Sequence, residues 1–217
     1  PHGGRRPPRR YRLAVPPRSY RAGRWGLSPR HIRLLSRLGY IVDSSVTPFL
    51  SWKDTPGAPD GDGGVDFMEA PFGPHFLNDA STGESAARIL EVPVTVLFPV
   101  GWMNRSGLFL KCYRKSPAMP IFQLLRILGM GPEWLRPYPS TGFYRMTRLY
   151  RTAEKLNLPC INLMFHSNEL LPGGSPYNPD KASVELLYRK LARFFAYLRG
   201  KGVAGLTLTE FREAISK

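Results

Sequence analysis

His166 closes an apolar run over residues 160–170 that is entered through Leu158 and Pro159 and left through Leu171, Pro172, Gly173 and Gly174. A short run of that composition between turn residues predicts a buried strand that stops at a loop. A histidine just past the carboxyl end of a strand sits where α/β sheets and barrels keep their chemistry, and it can trade protons near neutral pH. Taken alone, a structural histidine in a hydrogen-bonded core position is the commoner explanation. Two other stretches give it company. Tyr40, Ile41 and Val42 predict a strand that ends in Asp43, Ser44 and Ser45, again polar groups at a carboxyl end. Residues 19–26 crowd Arg21, Arg24 and Trp25 into one loop with Gly23 and Gly26. Arginine offers a planar fork that clamps a carboxylate, the indole a flat face for a sugar or an apolar wall, and glycine lets a backbone approach closely.

These groups need elements to hold them. Ser28 as a cap and Pro29 at the first position open a helix in which Ile32, Leu34, Leu35 and Leu38 are the apolar positions and Gly39 ends it. Residues 51–83 are loop-rich. Within them the stretch 53–64 alternates carboxylates with glycine, but its spacing does not fit a calcium-binding EF-hand loop, so it predicts a mobile surface insertion. An apolar strand follows over 89–98, with Pro93 marking a bulge or a sheet edge. Residues 119–130, with Ile121, Leu124, Leu125, Ile127 and Leu128, predict a buried helix, and 142–156 an amphipathic one exposing Arg145, Arg148 and Arg151. A long helix starts at 178–180, turns Leu186, Leu187, Leu191, Phe194, Phe195 and Leu198 inward, and stops at Gly200 to Gly202. A short strand over 203–208 and a terminal helix capped by Thr209 complete the chain. Strands alternating with helices predict an α/β fold of βα units, with no internal repeat.

Composition bounds the partners. The 217 residues, 42% of them hydrophobic, are enough for one globular unit with a real core. The formal charge of +15 raises nucleic acid, an anionic membrane surface or an anionic polymer as partners. Its distribution weakens the nucleic-acid reading. Arg5, Arg6, Arg9, Arg10 and Arg12 crowd a Pro/Gly-rich leader over 1–18 expected to be disordered, and Arg30, Arg33, Arg37, Arg189 and Arg193 are spread over solvated helix faces. Cys112 and Cys160 make neither a disulfide framework nor a metal cluster. No stretch is long and apolar enough for a transmembrane segment, and the N-terminus has no apolar signal-like core. Pro1 stands where an initiator methionine would be, which predicts a processed, excised or incomplete chain.

Four blocks carry a resemblance: residues 20–26 (Tyr-Arg-Ala-Gly-Arg-Trp-Gly), 39–46 (Gly-Tyr-Ile-Val-Asp-Ser-Ser-Val), 90–94 (Leu-Glu-Val-Pro-Val) and 163–167 (Leu-Met-Phe-His-Ser). In this order and rough spacing they resemble the polysaccharide deacetylase family, carbohydrate esterases built on a distorted (β/α) barrel. The resemblance runs from about Ser19 to the C-terminus. It implies a partial barrel of that type over 19–217 and an acetylated glycan or polysaccharide as substrate. It further implies that Arg21 resembles the arginine that holds the catalytic-base aspartate and that Asp43 resembles the carboxylate paired with the catalytic histidine. His166 resembles the general acid that protonates the leaving sugar amine. Trp25 resembles an aromatic wall of the substrate groove, with Arg24 and Ser44 beside it as substrate-binding candidates.

The same family binds a divalent metal, usually zinc, through an aspartate and two histidines in motifs that precede the arginine block. The residues before Ser19 hold one histidine, His2, and no carboxylate; His31 is expected in a helix and His75 in a loop, neither with a histidine four positions away. The resemblance therefore implies the C-terminal portion of a metal-dependent sugar N-deacetylase without its metal ligands, expected to be inactive and marginally stable as this chain. A carbohydrate-binding remnant and, behind it, a basic nucleic-acid or anionic-polymer binder are the alternatives.

Overall fold

The computed structural model describes residues 16–55, 63–77 and 89–215. The leader up to residue 15 and residues 56–62 of the carboxylate–glycine stretch lie outside the described residues. The strands are β1 (Ser19–Tyr20), β2 (Val42–Asp43), β3 (His75–Leu77), β4 (Ile89–Glu91), β5 (Val96–Leu97) and β6 (Glu133–Trp134). The helices are α1 (Pro29–Arg37), α2 (Gly107–Lys115), α3 (Pro120–Ile127), α4 (Phe143–Lys155), α5 (Lys181–Gly200) and α6 (Leu208–Ala214).

Four strands form one sheet in the order β1-β2-β4-β3, with β1, β2 and β4 parallel and β3 antiparallel to β4, while β5 and β6 pair separately. The architecture is mixed α/β, and among the described residues the strands do not close into a barrel. The register draws one row across the main sheet: Tyr20 opposite Asp43, Asp43 opposite Glu91, Glu91 opposite His75. Residues in one row point to the same face, so the chain lines up two carboxylates and a histidine that are far apart in sequence.

The core sits between the sheets and α4 and α5. Leu97, Leu135, Met146, Leu149 and Phe194 are fully buried there, each such side chain contributing about 1.5–3 kcal/mol by leaving water. In α5 the buried positions Val184, Leu187, Leu191, Phe194 and Leu198 recur three and four apart, one stripe of a helix. Leu186 and Phe195, expected inward, fall off that stripe and are exposed.

The structure corrects several expectations. The strand over 160–166 is extended backbone without a ladder, tied by Thr95 N–H to Asn162 O (3.1 Å) and Met164 N–H to Leu135 O (3.2 Å). Of those residues Met164 is buried and His166 is exposed, so the apolar composition is spent on a half-covered strap rather than a central strand. The run over 89–98 is two strands in two sheets, because Pro93 cannot donate to a ladder and breaks it. No ladder forms over 203–208, and α6 is capped by Thr207, whose Oγ1 accepts from Glu210 N–H (3.2 Å) while Glu210 returns a carboxylate to Thr207 N–H (2.7 Å). That reciprocal cap needs an acid three residues on, which Thr209 lacks. His75 lies in β3, not in a loop. Helix α2 escaped the reading of the sequence, and α3 is not buried: Ile121, Leu124, Ile127 and Leu128 all face out.

Candidate functional site

The site is built at the carboxyl ends of β1, β2 and β4. Asp43 and Glu91, neighbours in the parallel register, are both fully buried, as are Ser44 and Ser45. Asp43 is closed into its own turn: Ser45 N–H donates to Oδ2 (2.8 Å) and the Ser45 hydroxyl to Oδ1 (2.9 Å), while Ala22 N–H donates back to Ser45 Oγ (2.8 Å). Glu91 Oε1 accepts from Val46 N–H (3.0 Å), and Glu91 Oε2 has no donor. Burial first, then a hydrogen bond to the Asp43 carboxyl and its charge, push Glu91 well above the ordinary carboxylate range. Both oxygens of Asp43 are engaged as acceptors, so of the two abutting buried carboxyls Glu91 is the one whose protonated form is favoured.

Arg21 supplies the positive charge. Its Nε donates to Ser44 O (2.9 Å), its Nη2 to Ser44 Oγ (2.9 Å) and, at the limit of reach, to Asn162 Oδ1 (3.5 Å). Removal from water lowers the Arg21 pKa, and the charges of Asp43 and then Glu91 oppose that shift. Asn162 ties the strap to this corner, donating through Nδ2 to Ser44 Oγ (2.8 Å) and Val92 O (3.0 Å). The structure thus brings Arg21, Asp43 and Ser44 together, and adds Asn162 and Glu91, to which the sequence reading gave no role. Neither had a local signal, because their place depends on strand register and on a contact across more than a hundred residues.

His166 lies four extended residues beyond Asn162, roughly 13 Å farther along the strap. Its ring makes no hydrogen bond to Asp43 or Arg21 among the described residues. What fixes it is its backbone: His166 N–H donates to Glu169 Oε1 (3.0 Å), and Glu169 is a buried acid paired with buried Arg136 (2.6 Å). Arg136 in turn lies over Tyr138 (4.3 Å) and Tyr177 (5.3 Å).

Trp25 stands on strained backbone. Arg24 and Trp25 have φ of 51° and 61°, a region that non-glycine residues seldom occupy and that clusters at functional sites. The strain presents the indole to two others: Trp25 stacks on Trp52 (6.4 Å, 22°) and meets Trp134 edge-on (5.6 Å), with Arg21 over its ring at 5.8 Å. All three indoles are half-buried. Arg24 is exposed beside them.

A divalent metal finds no seat here. Among the described residues no three His, Cys, Asp or Glu side chains are grouped as ligands. The buried acids are already engaged, Asp43 by Ser45 and Glu91 by Val46 N–H, and His75, next in the row, engages Gly73 O through Nδ1 (3.0 Å). The residues present do not fit an aspartate-and-two-histidine set. No family model, no curated protein and no solved structure matches this chain.

Proposed function

We propose that the chain is a polysaccharide deacetylase-type unit, part of a distorted (β/α) barrel, that recognises an acetylated glycan and is inactive as this chain because the family's metal ligands are not among its residues. One observation supports this reading. The blocks that carry the resemblance, scattered over residues 20–167, are neighbours in the fold: β1, β2 and β4 run side by side in parallel, and the strap of the fourth block is stitched to them through Asn162. In this reading Trp25, Trp52 and Trp134 form the wall on which a sugar ring stacks, and Arg24 lies at its rim. Arg21, Ser44 and Asn162 brace one another beneath that wall, Asp43 and Glu91 lie buried beside them, and His166, exposed farther along the strap, is the residue the resemblance gives as general acid. The metal that the family uses is not assigned to any residue of this chain, and no step is drawn through it.

The test is a titration of the purified chain with N-acetylated chitooligosaccharides, followed by tryptophan fluorescence and by acetate release. Saturable quenching that weakens about tenfold or more in Trp25→Ala is expected, since stacking on a half-buried indole supplies much of the contact. Acetate release is expected to stay at background. A folded chain whose fluorescence ignores the sugar contradicts the reading. A second reading, a glycan-binding unit with no chemistry of its own, draws on the same three-indole cluster and is favoured if binding occurs and Glu91→Gln or His166→Ala leaves the unit unchanged when zinc and the family's upstream motifs are supplied.

A further inference from the structure

Helix α3 is apolar on two sides. Phe122 faces in, edge-on to Phe109 (5.8 Å) and Tyr113 (5.2 Å), and Leu125 packs on the same core. Ile121, Leu124, Ile127 and Leu128 face out, with Ile127 80% exposed. Apolar side chains on the side of a helix away from its core leave a face that calls for a cover. The neighbouring elements continue the pattern: Leu108 on α2 is 76% exposed, and Trp102, in the turn before α2, packs one edge on Phe109 (5.3 Å) and leaves the rest in solvent.

Charge says what the cover is. From Val92 to Pro132 the chain holds no Asp or Glu, while Arg105, Lys111, Arg114, Lys115 and Arg126 all fall within it. Two acids approach from outside, and both are occupied: Glu69 pairs with Arg114 (3.1 Å), and Glu133 with Arg145 (2.7 Å) and Arg148 (2.9 Å). Lys111, Lys115 and Arg126 have no acidic partner among the described residues. A second copy of the chain is a poor cover, because a two-fold contact would press these cations against their own equivalents. An apolar helix face with an indole at its edge and lysine and arginine around it suits the boundary between acyl chains and anionic headgroups, where long basic side chains reach outward.

We propose that the α2–α3 face docks on an anionic phospholipid surface, with Leu108, Leu124 and Ile127 entering the acyl boundary and Lys111, Lys115 and Arg126 contacting the headgroups. The proposal is independent of the glycan reading. It is tested by flotation of the purified chain with phosphatidylcholine vesicles, with and without phosphatidylglycerol. Because a chain of charge +15 will cling to any anionic vesicle, the deciding variants are uncharged. Leu124→Ser/Ile127→Ser should weaken binding to the anionic vesicles about tenfold or more, and Leu186→Ser, an exposed leucine on α5, should leave it unchanged. Circular dichroism checks that each variant folds, and Leu108→Ser serves as the second probe if the double variant does not. The proposal is overturned if the chain does not float, if the serine variants bind like the parent or no worse than Leu186→Ser, or if sedimentation reveals a dimer that the double variant dissolves.

Discussion

Two buried corners of this molecule pair arginine with carboxylate, and they do it differently. At the Arg136–Glu169 corner the count is one to one, and the groups meet directly at 2.6 Å. Glu169 also accepts from His166 N–H, while the Arg136 guanidinium lies against two tyrosine rings and keeps one buried nitrogen, Nε, without a partner among the described residues. At the Arg21 corner there are two carboxyls for one guanidinium, and that guanidinium bonds to Ser44 rather than to either acid. Burial beside Asp43 pushes Glu91 toward its protonated form, which offsets the excess. A balanced pair makes a scaffold; an unbalanced trio makes a group that can give or hold a proton, which is what a reactive site needs. The comparison also assigns the histidine: the balanced corner holds the backbone of His166, while its ring is left at the surface.

The largest effect should come from breaking the balanced corner. Arg136→Ala leaves Glu169 as a buried charge without a partner and frees the turn after His166, so urea unfolding should report a loss of about 3–5 kcal/mol. A loss below about 1 kcal/mol would mean that the pair is solvated and the contrast is false.

At the unbalanced corner the effect is a slope. The folded state holds a proton on Glu91 that the unfolded chain releases at ordinary glutamate pH, so the folded state binds more protons and stability falls as pH rises. That stability is complete below the ordinary glutamate pKa and is lost from there upward, toward the raised value of the folded state. The slope should approach about 1.4 kcal/mol per pH unit, with Asp43, Arg21 and His75 the titratable groups nearest to it. Glu91→Gln, which keeps a donor toward Asp43, should remove this contribution to the slope while preserving the fold; a variant with the parent's pH dependence would assign the slope elsewhere.

Removing the Thr207 hydroxyl as Thr207→Ala should cost about 1 kcal/mol through the lost cap of α6, read as a lowered melting temperature. The mildest probe is thiol labelling. Burial pushes Cys160 up to about 11, and it packs with Val42, Leu90 and Phe211, while Cys112 is exposed. Cys112 should therefore label quickly at pH 8 and Cys160 only on unfolding; equal rates would show that the sheet under α6 opens readily.

Much of this was legible in the sequence where a local rule decides. The start of α1 follows from Ser28, and the faces of α4 and α5 follow from the arginines at 145, 148 and 151 and from the spacing of Leu187, Leu191, Phe194 and Leu198, whereas Leu34 and Leu38 of α1 are exposed. Pro93 marked a bulge or edge in what is in fact a break between β4 and β5, and the blocks around Arg21 and Asp43 do come together. What stayed hidden is set by long-range register. Nothing near Glu91 says that it faces Asp43, nothing near Asn162 says that it bonds Ser44, and no alternation marks the three residues of β3. Apolar composition misled twice, at the strap over 160–166 and at α3, because it reports the tendency to leave water without saying which surface provides the cover.

The account turns on the proton at the end of the sheet. Carbon-13 NMR of the glutamate carboxyls during a pH titration measures it directly. The account predicts that the Glu91 resonance keeps its protonated shift well after the exposed glutamates have ionised, and that it alone moves when Asp43 is changed to Asn. A Glu91 resonance that ionises together with the surface glutamates would contradict it.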